Sequence, residues 1–390
     1  MAVAPNDVDF ALGGDVDDLH GVLRRLREST PVAQVQYFGQ PAWILTTYDA
    51  VEAAYRDDEL FPAAAAFKDL TEPTLGRNLQ CMQGDEHKRN RMLVSPSFRA
   101  RSIEALVQPV IDETAHSLVD RFAPRGEAEL VEEFKRHFPG TVICRLLGIP
   151  PARDVDLQHW AHQLLSFQND PDGALAAKDE ITRFLTPLVQ QRRREPAEDL
   201  ISILATTEID GEQLTDEEIL SFVRHAFAAG TDTTFFGAAN TMFALLTHPD
   251  QLERVLADPD TEVRWAVEEA LRWESPVAME PRTAPRAVRW FDADLPEGAR
   301  MLFAIAAANR DPSRFDDPDS FDVGRRPSPI MTFGIGAHFC LGAHLARAEL
   351  ITATRVLLDR LRDIRPGHPG RRDSAAWTEG AASPLHARLT

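Results

Sequence analysis

Cysteine is scarce in this chain, which has three cysteines among 390 residues. Cys81, Cys144 and Cys340 form no CxxC pair, so neither a disulfide framework nor a zinc site held by paired thiolates is expected. The N-terminal segment carries aspartates but no Lys or Arg, unlike a secretory signal. Together these features predict a protein of a reducing compartment, the bacterial cytoplasm.

The chain also lacks long apolar runs and an excess of basic residues. No stretch approaches 20 consecutive apolar residues, so no membrane-spanning helix is expected. Lys and Arg number 42 against 61 Asp and Glu, which gives a net charge of −19. The overall field of such a chain repels phosphate groups, so neither a nucleic acid nor a membrane surface is an expected partner.

The composition is that of an ordinary globular protein, with 44% hydrophobic and 26% charged residues. No internal repeat or low-complexity linker interrupts it, which favours one mainly α-helical domain over residues 1–390 with small β-sheets. The apolar spacing predicts the following order: a polar lead-in and short helix within 1–30, a β-hairpin over 31–48, mainly helices over 49–280 with a long loop at 59–83, short strands over 283–305, loops over 306–339 and a last helix over 341–362.

One helix is expected to be unusually long. Thr215 and Glu218 fit a capping box, and the apolar periodicity that follows continues to Thr247. A helix of about 30 residues would span about 45 Å. Because its flanks are apolar on nearly all sides, we expect it to run through the interior.

The strongest chemical signal is the string FGIGAHFCLG, residues 333–342. Gly334 and Gly336 permit positive φ and a close approach of the backbone. Cys340 directly precedes a predicted helix, whose N-terminal N–H groups and dipole stabilise a thiolate. The string therefore predicts a thiolate that holds a soft metal from one side.

This string resembles the cysteine-loop signature of the cytochrome P-450 family, the haem-thiolate monooxygenases, at every expected position. The resemblance extends over nearly the whole chain and implies that family's fold, a helical prism around a buried haem b (iron protoporphyrin IX). It further implies Cys340 as the axial ligand of the iron, which favours O–O cleavage. By the same resemblance, His338 meets a haem propionate, and Phe333, Gly342 and Ala229 lie against the cofactor.

Other strings match further motifs of the family. Glu269 and Arg272, at i and i+3 between apolar flanks, resemble the structural ExxR motif and predict a buried pair with further hydrogen bonds. Arg282 matches an arginine that the family places on a propionate. His87 and Arg91, at i and i+4, share one helix face, and the resemblance assigns them to the propionates as well.

The run AGTDTT, residues 229–234, lies inside the predicted long helix, where Gly, Asp and Thr are unfavourable. Thr hydroxyls can bond back to carbonyls one turn earlier. The run resembles the family's oxygen-binding stretch, which implies catalytic roles for two residues. Thr233 would hydrogen-bond dioxygen or an ordered water, and Asp232 would connect that water to a proton source.

The resemblance also implies a substrate and an electron donor. The pocket for a hydrophobic small molecule is expected to be lined by Met82, Ala228, Ala229, Thr233, Val277, Ala278 and Met279. No nicotinamide- or flavin-binding glycine fingerprint is present, so electrons would come from a ferredoxin and its ferredoxin reductase. A local basic face for that donor is expected at Lys88, Arg89, Arg99, Arg101 and Arg347.

Two other functions are consistent with the same motifs. One is a haem-thiolate peroxygenase driven by hydrogen peroxide, although the Asp232–Thr233 pair favours dioxygen chemistry. The other is a haem-binding or ligand-binding protein without turnover.

Overall fold

The computed structural model describes residues 8–10, 16, 18–125, 127–135, 137–150, 154–209, 211–360 and 386–388. The α-helices are α1 (Leu19–Ser29), α2 (Tyr48–Arg56), α3 (Ala63–Leu70), α4 (Glu72–Leu75), α5 (Gly84–Val94), α6 (Ala100–Ser102), α7 (Gln108–Phe122), α8 (Phe138–Leu147), α9 (Asp154–Leu165), α10 (Pro171–Arg194), α11 (Leu200–Thr206), α12 (Asp216–Thr247), α13 (Pro249–Ala257), α14 (Pro259–Trp273), α15 (Ile305–Ala308) and α16 (Ala343–Arg360). The strands are β1 (Val32–Tyr37), β2 (Gln40–Leu45), β3 (Glu127–Glu129), β4 (Glu208–Ile209), β5 (Glu212–Gln213), β6 (Glu280–Ala284), β7 (Val288–Trp290), β8 (Ala293–Leu295), β9 (Ala299–Phe303) and β10 (His386–Arg388). The expected fold class, mainly α with small sheets, is confirmed.

The chain divides into two compact units, which are described separately. The first, here called the sheet unit, comprises Met1–Ala66, Phe236–Cys340 and Ile364–Arg388. The second, the helical unit, comprises Phe67–Phe235, Leu341–Asp363 and Leu389–Thr390. The expectation of one domain over residues 1–390 stays a prediction.

The sheet unit is organised by a four-stranded sheet in the order β1-β2-β9-β6. Strands β1 and β2 form the predicted hairpin, and Phe38 and Gly39 at its turn both have positive φ, at 51° and 64°. Two such residues are typical of the tight turn that matches the strand twist. Strand β2 pairs parallel with β9, and β9 pairs antiparallel with β6, so Arg282 lies opposite Met301.

Residues 59–83 differ from the sequence-based expectation of a long loop, which was wrong. The segment contains α3, α4 and a short 3₁₀ turn at Leu79–Cys81. Helix α3 begins with a run of alanines, and alanine has the highest helix propensity of any residue type. Pro73 stands in the first turn of α4, where its missing N–H costs nothing, and Gly76 with φ of 81° ends that helix.

Helix α12 extends over 32 residues and begins with the predicted capping box. The Glu218 amide donates to the Thr215 hydroxyl at 3.2 Å, and the Thr215 amide donates to the Glu218 carboxylate at 2.7 Å. The predicted end at Thr247 is confirmed, and α1, the strands over 280–303 and α16 agree with their expected positions. The polar lead-in lies largely outside the described residues. None of the described helices has the length and apolar character needed to cross a membrane.

Candidate functional site

The cysteine loop of the sheet unit is held by its own backbone and by two glycines. Cys340 donates its amide hydrogen to the carbonyl of Phe333 at 2.9 Å, which closes the loop. Gly334 and Gly336 have φ of 65° and 80°, as their predicted role requires. A Cβ on Gly336 would lie 2.6 Å from the carbonyl oxygen of Tyr55, so only glycine fits this close approach. Cys340 is exposed, whereas Cys81 and Cys144 are buried.

A buried polar network supports this loop from the side of α14. The Glu269–Arg272 pair is fully buried, and Arg272 also donates to the carbonyl of Asn309 at 2.9 Å. The side-chain carbonyl of Asn309 in turn accepts the amide of Met331 at 2.7 Å, at the start of the cysteine loop. Arg325 donates to Glu269 at 3.1 Å. The prediction that the pair is buried with further hydrogen bonds is confirmed, and Asn309 connects it to the loop.

Arg282 on β6 already has a carboxylate partner in the sheet unit. Its Nη1 lies 3.2 Å from Oε1 of Glu280, and the Tyr55 hydroxyl donates to Oε2 of the same carboxylate at 2.6 Å. Burial, and then the negative charge of Glu280, raise the pKa of Tyr55 well above its usual value. The phenol therefore stays protonated and remains a donor to Glu280.

Other predicted residues of the sheet unit lie close to acidic or apolar groups. His338 Nε2 lies 3.5 Å from the carboxylate of Asp58. Val277 is half-buried, while Ala278 and Met279 belong to the apolar core that includes Ile44 and Leu302. The last two side chains thus contribute to the core of this unit, and their predicted role in a substrate pocket stays a prediction.

In the helical unit, the predicted AGTDTT run lies within α12. Phe227 and Ala228 are fully buried, but Ala229 is exposed and Thr233 is half-buried. The Thr233 hydroxyl donates to the carbonyl of Ala229 at 2.8 Å, which confirms the predicted back-bonding. Ala229 is thus an exposed residue that lies between buried Ala228 and buried Thr231 on the same helix.

Asp232 of the same run has a partner that the sequence did not indicate. Nδ1 of His162, on α9, lies 3.5 Å from Oδ2 of Asp232. His225, two turns before Asp232 on α12, is a different kind of histidine, because burial lowers its pKa to about 4. At neutral pH His225 is therefore uncharged.

Helix α5 places His87 and Arg91 on one face, with His87 buried and Arg91 half-buried. Just before it, Met82 is buried and borders a small cavity of about 20 Å³ together with Leu79 and Leu93.

The predicted basic residues are mostly exposed. Lys88, Arg89, Arg99 and Arg101 are exposed, and Arg347 is half-buried. Met92, within the same stretch, is 68% exposed.

Comparison with known proteins decides what these features mean. The sequence profile of the family "Cytochrome P450" matches residues 10–149 and 161–366. The chain belongs to the cytochrome P450 family. It is 36% identical to cytochrome P450 107B1 of Saccharopolyspora erythraea over 363 residues, 89% of each chain. It is 35% identical to mycinamicin IV hydroxylase/epoxidase of Micromonospora griseorubida over 378 residues, 93% of this chain and 94% of that one.

The fold of this cytochrome P450 agrees with the match. The crystal structure of cytochrome P450 CYP109Q5 from Chondromyces apiculatus superposes with a TM-score of 0.90 at 31% identity and covers 99% of both chains. The enzyme is a monooxygenase, an oxidoreductase that incorporates one oxygen atom into its substrate. The cofactor is haem b, which the family binds through a cysteine thiolate.

The residues of this chain fit that cofactor. A thiolate ligand must be accessible, and Cys340 is the exposed cysteine, whereas burial raises the pKa of the Cys81 thiol and disfavours its thiolate. Sequence reasoning did not give functional weight to several residues that the structure connects to the site, namely Tyr55, His162, Asn309 and Arg325.

Proposed function

We propose that this cytochrome P450 hydroxylates a hydrophobic small molecule with dioxygen and with electrons from a ferredoxin and ferredoxin reductase. The observation that carries the proposal is the cysteine loop, in which a glycine turn and the Phe333–Cys340 hydrogen bond hold an exposed thiol. Bound haem supplies the activation of dioxygen, so that one oxygen atom enters the substrate and the other leaves as water. Cys340 is the proposed ligand of the iron.

Two kinds of residue are the other proposed contacts of the cofactor, polar side chains for its propionates and smaller or apolar residues for its ring. His87, Arg91, Arg282 and His338 would bind the propionates, and Phe333, Gly342 and Ala229 would pack against the ring. Arg282 keeps Glu280 as a partner, because a guanidinium has five N–H donors and can serve two carboxylates. The pairing fixes the direction of the Arg282 guanidinium.

Asp232 and Thr233 are the proposed groups that deliver protons for the reaction. The Thr233 hydroxyl is both a donor and an acceptor, and its bond to the Ala229 carbonyl fixes its position on α12. Asp232, half-buried, accepts a proton and passes it on at its carboxylate oxygens. The presence of this acid–alcohol pair supports dioxygen chemistry over a peroxide-driven reaction.

The proposed substrate is apolar and of moderate size. Ala228, Ala229 and Thr233 on α12, with Met82, Val277, Ala278 and Met279, are the proposed lining, and most of these side chains are apolar, as in other ligand pockets. A relative at 35% identity is named for hydroxylation and epoxidation of mycinamicin IV. This supports including macrolide-like compounds in a screen.

The proposed docking face for the ferredoxin lies in the helical unit, on α5 and the segment that follows it. Lys88, Arg89, Arg99 and Arg101 present exposed positive charge there, although the net charge of the chain is −19. Exposed Met92 adds an apolar contact between them. An acidic carrier would be steered to such a patch.

The three free cysteines support the proposed cytoplasmic location.

Spectroscopy and product analysis test the proposed function. The reduced protein should give the red-shifted carbon monoxide band of a thiolate ligand, and Cys340→Ala should abolish it while Cys144→Ala keeps it. A screen of apolar compounds for spectral shifts of the ferric protein then selects a substrate. Hydroxylated product with ferredoxin, its reductase and NADPH, but not with peroxide alone, is the expected result. Product with peroxide alone would favour a peroxygenase, and no product in either case would favour a binding protein.

A pair of charge reversals tests the docking face. Lys88→Glu with Arg89→Glu should slow reduction of the iron by ferredoxin and leave the spectral shift with the selected compound unchanged. The matched control is Lys68→Glu with Arg183→Glu, two exposed residues on α3 and α10. Equal reduction rates in the two double variants would contradict the assignment of this face.

A further inference from the structure

Asp232 lies at one end of a two-residue path that begins at the surface of the helical unit. The side chain of His162 is 47% exposed and that of Asp232 is 24% exposed, with His162 Nδ1 3.5 Å from Asp232 Oδ2. The imidazole thus touches solvent on one side and the carboxylate of α12 on the other. Asp232 is adjacent in the chain to half-buried Thr233, whose hydroxyl donates to the Ala229 carbonyl at 2.8 Å.

Other charged groups lie on α9 and on the helices that pack against it, and several of them have partners other than Asp232. Helix α9 packs against α10, α8 and α4. On α10, Lys178 donates to the carbonyl of Pro73 and Glu180 accepts from Trp160. Further charged groups of the described side chains on these helices are the exposed Asp172, Asp179 and Arg183 of α10, Arg192 and Arg193 in pairs with Asp199 and Asp216, Arg145 of α8 in a pair with Glu113, Glu72 of α4, and His159 on α9 itself.

The identity of the partner matters for proton transfer. A lysine or arginine beside Asp232 would hold its proton throughout and act only as a fixed charge. Histidine releases and regains a proton near neutral pH, and a partly exposed imidazole exchanges with water directly. His225 cannot do this, because burial lowers its pKa to about 4. The reaction consumes two protons for each oxygen atom inserted, so a renewable source beside Asp232 is required.

We propose that His162 is the relay that passes protons from solvent to Asp232. The inference rests on the proposed role of Asp232 and Thr233 in proton delivery. In each transfer protonated His162 gives its Nδ1 proton to Oδ2 of Asp232, and neutral His162 then takes a proton from water at the surface. No electrons move in this step. His162 acts through Asp232 and is therefore a positioning residue for the reaction.

The first test is structural and needs no turnover. Ring ¹H–¹⁵N spectra of the full-length ferrous carbon monoxide form, which is diamagnetic, are titrated with pH, and the His162 signal is assigned by its loss in His162→Gln. Asp232→Asn should lower the His162 midpoint by a few tenths of a unit, as loss of a partly exposed ion pair does. The His159 midpoint serves as the control and should not move. An unchanged His162 midpoint would overturn the contact.

The second test uses NADPH oxidation with ferredoxin and its reductase, without added substrate. His162→Gln and His162→Lys should both slow oxidation at pH 7, by up to about 100-fold, since general acids contribute about 10²–10⁴. The wild-type rate should fall as pH rises through the measured His162 midpoint, and the profile of His162→Lys should be flat there. His159→Gln, an exposed residue of the same helix, should match the wild type.

The outcomes separate this inference from the proposed function. A His162→Lys variant with the wild-type rate and pH profile would show that only charge matters, and would overturn the relay. If Asp232→Asn slows oxidation while His162→Gln does not, the relay fails and the proposed role of Asp232 stands. If neither Asp232→Asn nor His162→Gln changes the rate, both the relay and the proposed role of Asp232 fail.

Discussion

The guanidinium of Arg272 makes two hydrogen bonds to the carboxylate of Glu269, at 2.8 Å from Nε to Oε2 and 2.7 Å from Nη2 to Oε1. Both side chains are fully buried. The remaining donors of Arg272 are directed to three backbone carbonyls, those of Asn309, Pro318 and Ser320. The pair therefore fixes a long irregular segment that leads to the cysteine loop.

Breaking this pair should destabilise the enzyme strongly. In Arg272→Ala the Glu269 charge stays buried and, among the residues that the structure describes, keeps only Arg325 as a cationic partner. We therefore expect the free energy of unfolding to fall by about 3–5 kcal/mol. Urea denaturation followed by tryptophan fluorescence measures the change. The control is Arg264→Ala, an exposed residue of the same helix, for which a change within about 0.5 kcal/mol is expected. A similar small change in Arg272→Ala would contradict the structural role of the pair.

Two glycines with nearly equal φ allow the close approach at the cysteine loop to be measured. Gly336 has φ of 80° and Gly298 of 77°, but a Cβ meets the Tyr55 carbonyl oxygen at 2.6 Å in the first and nothing within 4 Å in the second. Substitution by Ala should cost about 1–2 kcal/mol of backbone strain at either position. Gly336→Ala should lose more stability than Gly298→Ala and should also lower the yield of the thiolate carbon monoxide band. Equal losses would show that the loop moves away from α2 freely.

Local patterns in the sequence predicted the parts of this fold that depend on local interactions. The capping box at Thr215, the hairpin turn at Gly39 and the i, i+3 pair of Glu269 and Arg272 each involve residues within a few positions of one another. The loop expected at 59–83 was wrong because the alanine run and Pro73 favour helices too short to show apolar periodicity. The Glu280–Arg282 contact is local as well, since residues i and i+2 share one face of a strand.

Contacts between distant parts of the chain were not readable in the same way. Asn309 joins Arg272 to Met331 through hydrogen bonds over 37 and 22 positions of sequence. His162 and Asp232 are likewise far apart in the sequence, because all of α10 and α11 lies between them. A single histidine on an amphipathic helix has no pattern that marks it, because its meaning comes from the residue that the fold places beside it.

Thr233→Ala should separate oxygen activation from binding. Without the hydroxyl, protons reach the site in the wrong place, so we expect haem content and the spectral shift with the selected compound to be unchanged while most NADPH is converted to hydrogen peroxide. The control is Thr231→Ala, which removes the equivalent bond to the Phe227 carbonyl at a buried position. Peroxide per NADPH is the measurement. Tight coupling in Thr233→Ala would refute the proton-delivery role.

Glu349 on α16 should make stability depend on pH in the acidic range. Its carboxylate is buried, Oε2 has no hydrogen-bond partner among the described residues, and burial raises its pKa well above the usual value. A raised folded pKa means that stability is full below about pH 4.5 and is lost as pH rises toward the folded pKa. Glu349→Gln should remove this loss and be more stable than the wild type at pH 7. Glu253→Gln, at an exposed position, should follow the wild-type pH dependence.

Lys135 should make stability change with pH in the opposite direction, at higher pH than Glu349. Its side chain is fully buried, and Nζ has no hydrogen-bond partner within the described part of the chain. Burial, opposed weakly by Glu129, lowers its pKa from 10.5 to about 7. Because the folded pKa is lowered, the stability is full above about pH 10.5 and is lost as pH falls to about 7, where the loss reaches up to about 5 kcal/mol at 1.36 kcal/mol per unit.

Lys135→Met replaces the ammonium by an apolar end of similar length. We therefore expect the free energy of unfolding at pH 7 to increase, and its rise between about pH 7 and 10.5 to disappear. Urea denaturation at several pH values measures both, with Lys68→Met at an exposed position as the control. A wild-type protein whose stability does not rise over this interval would mean that water or an acidic group reaches the amine, and the substitution would then lower stability instead.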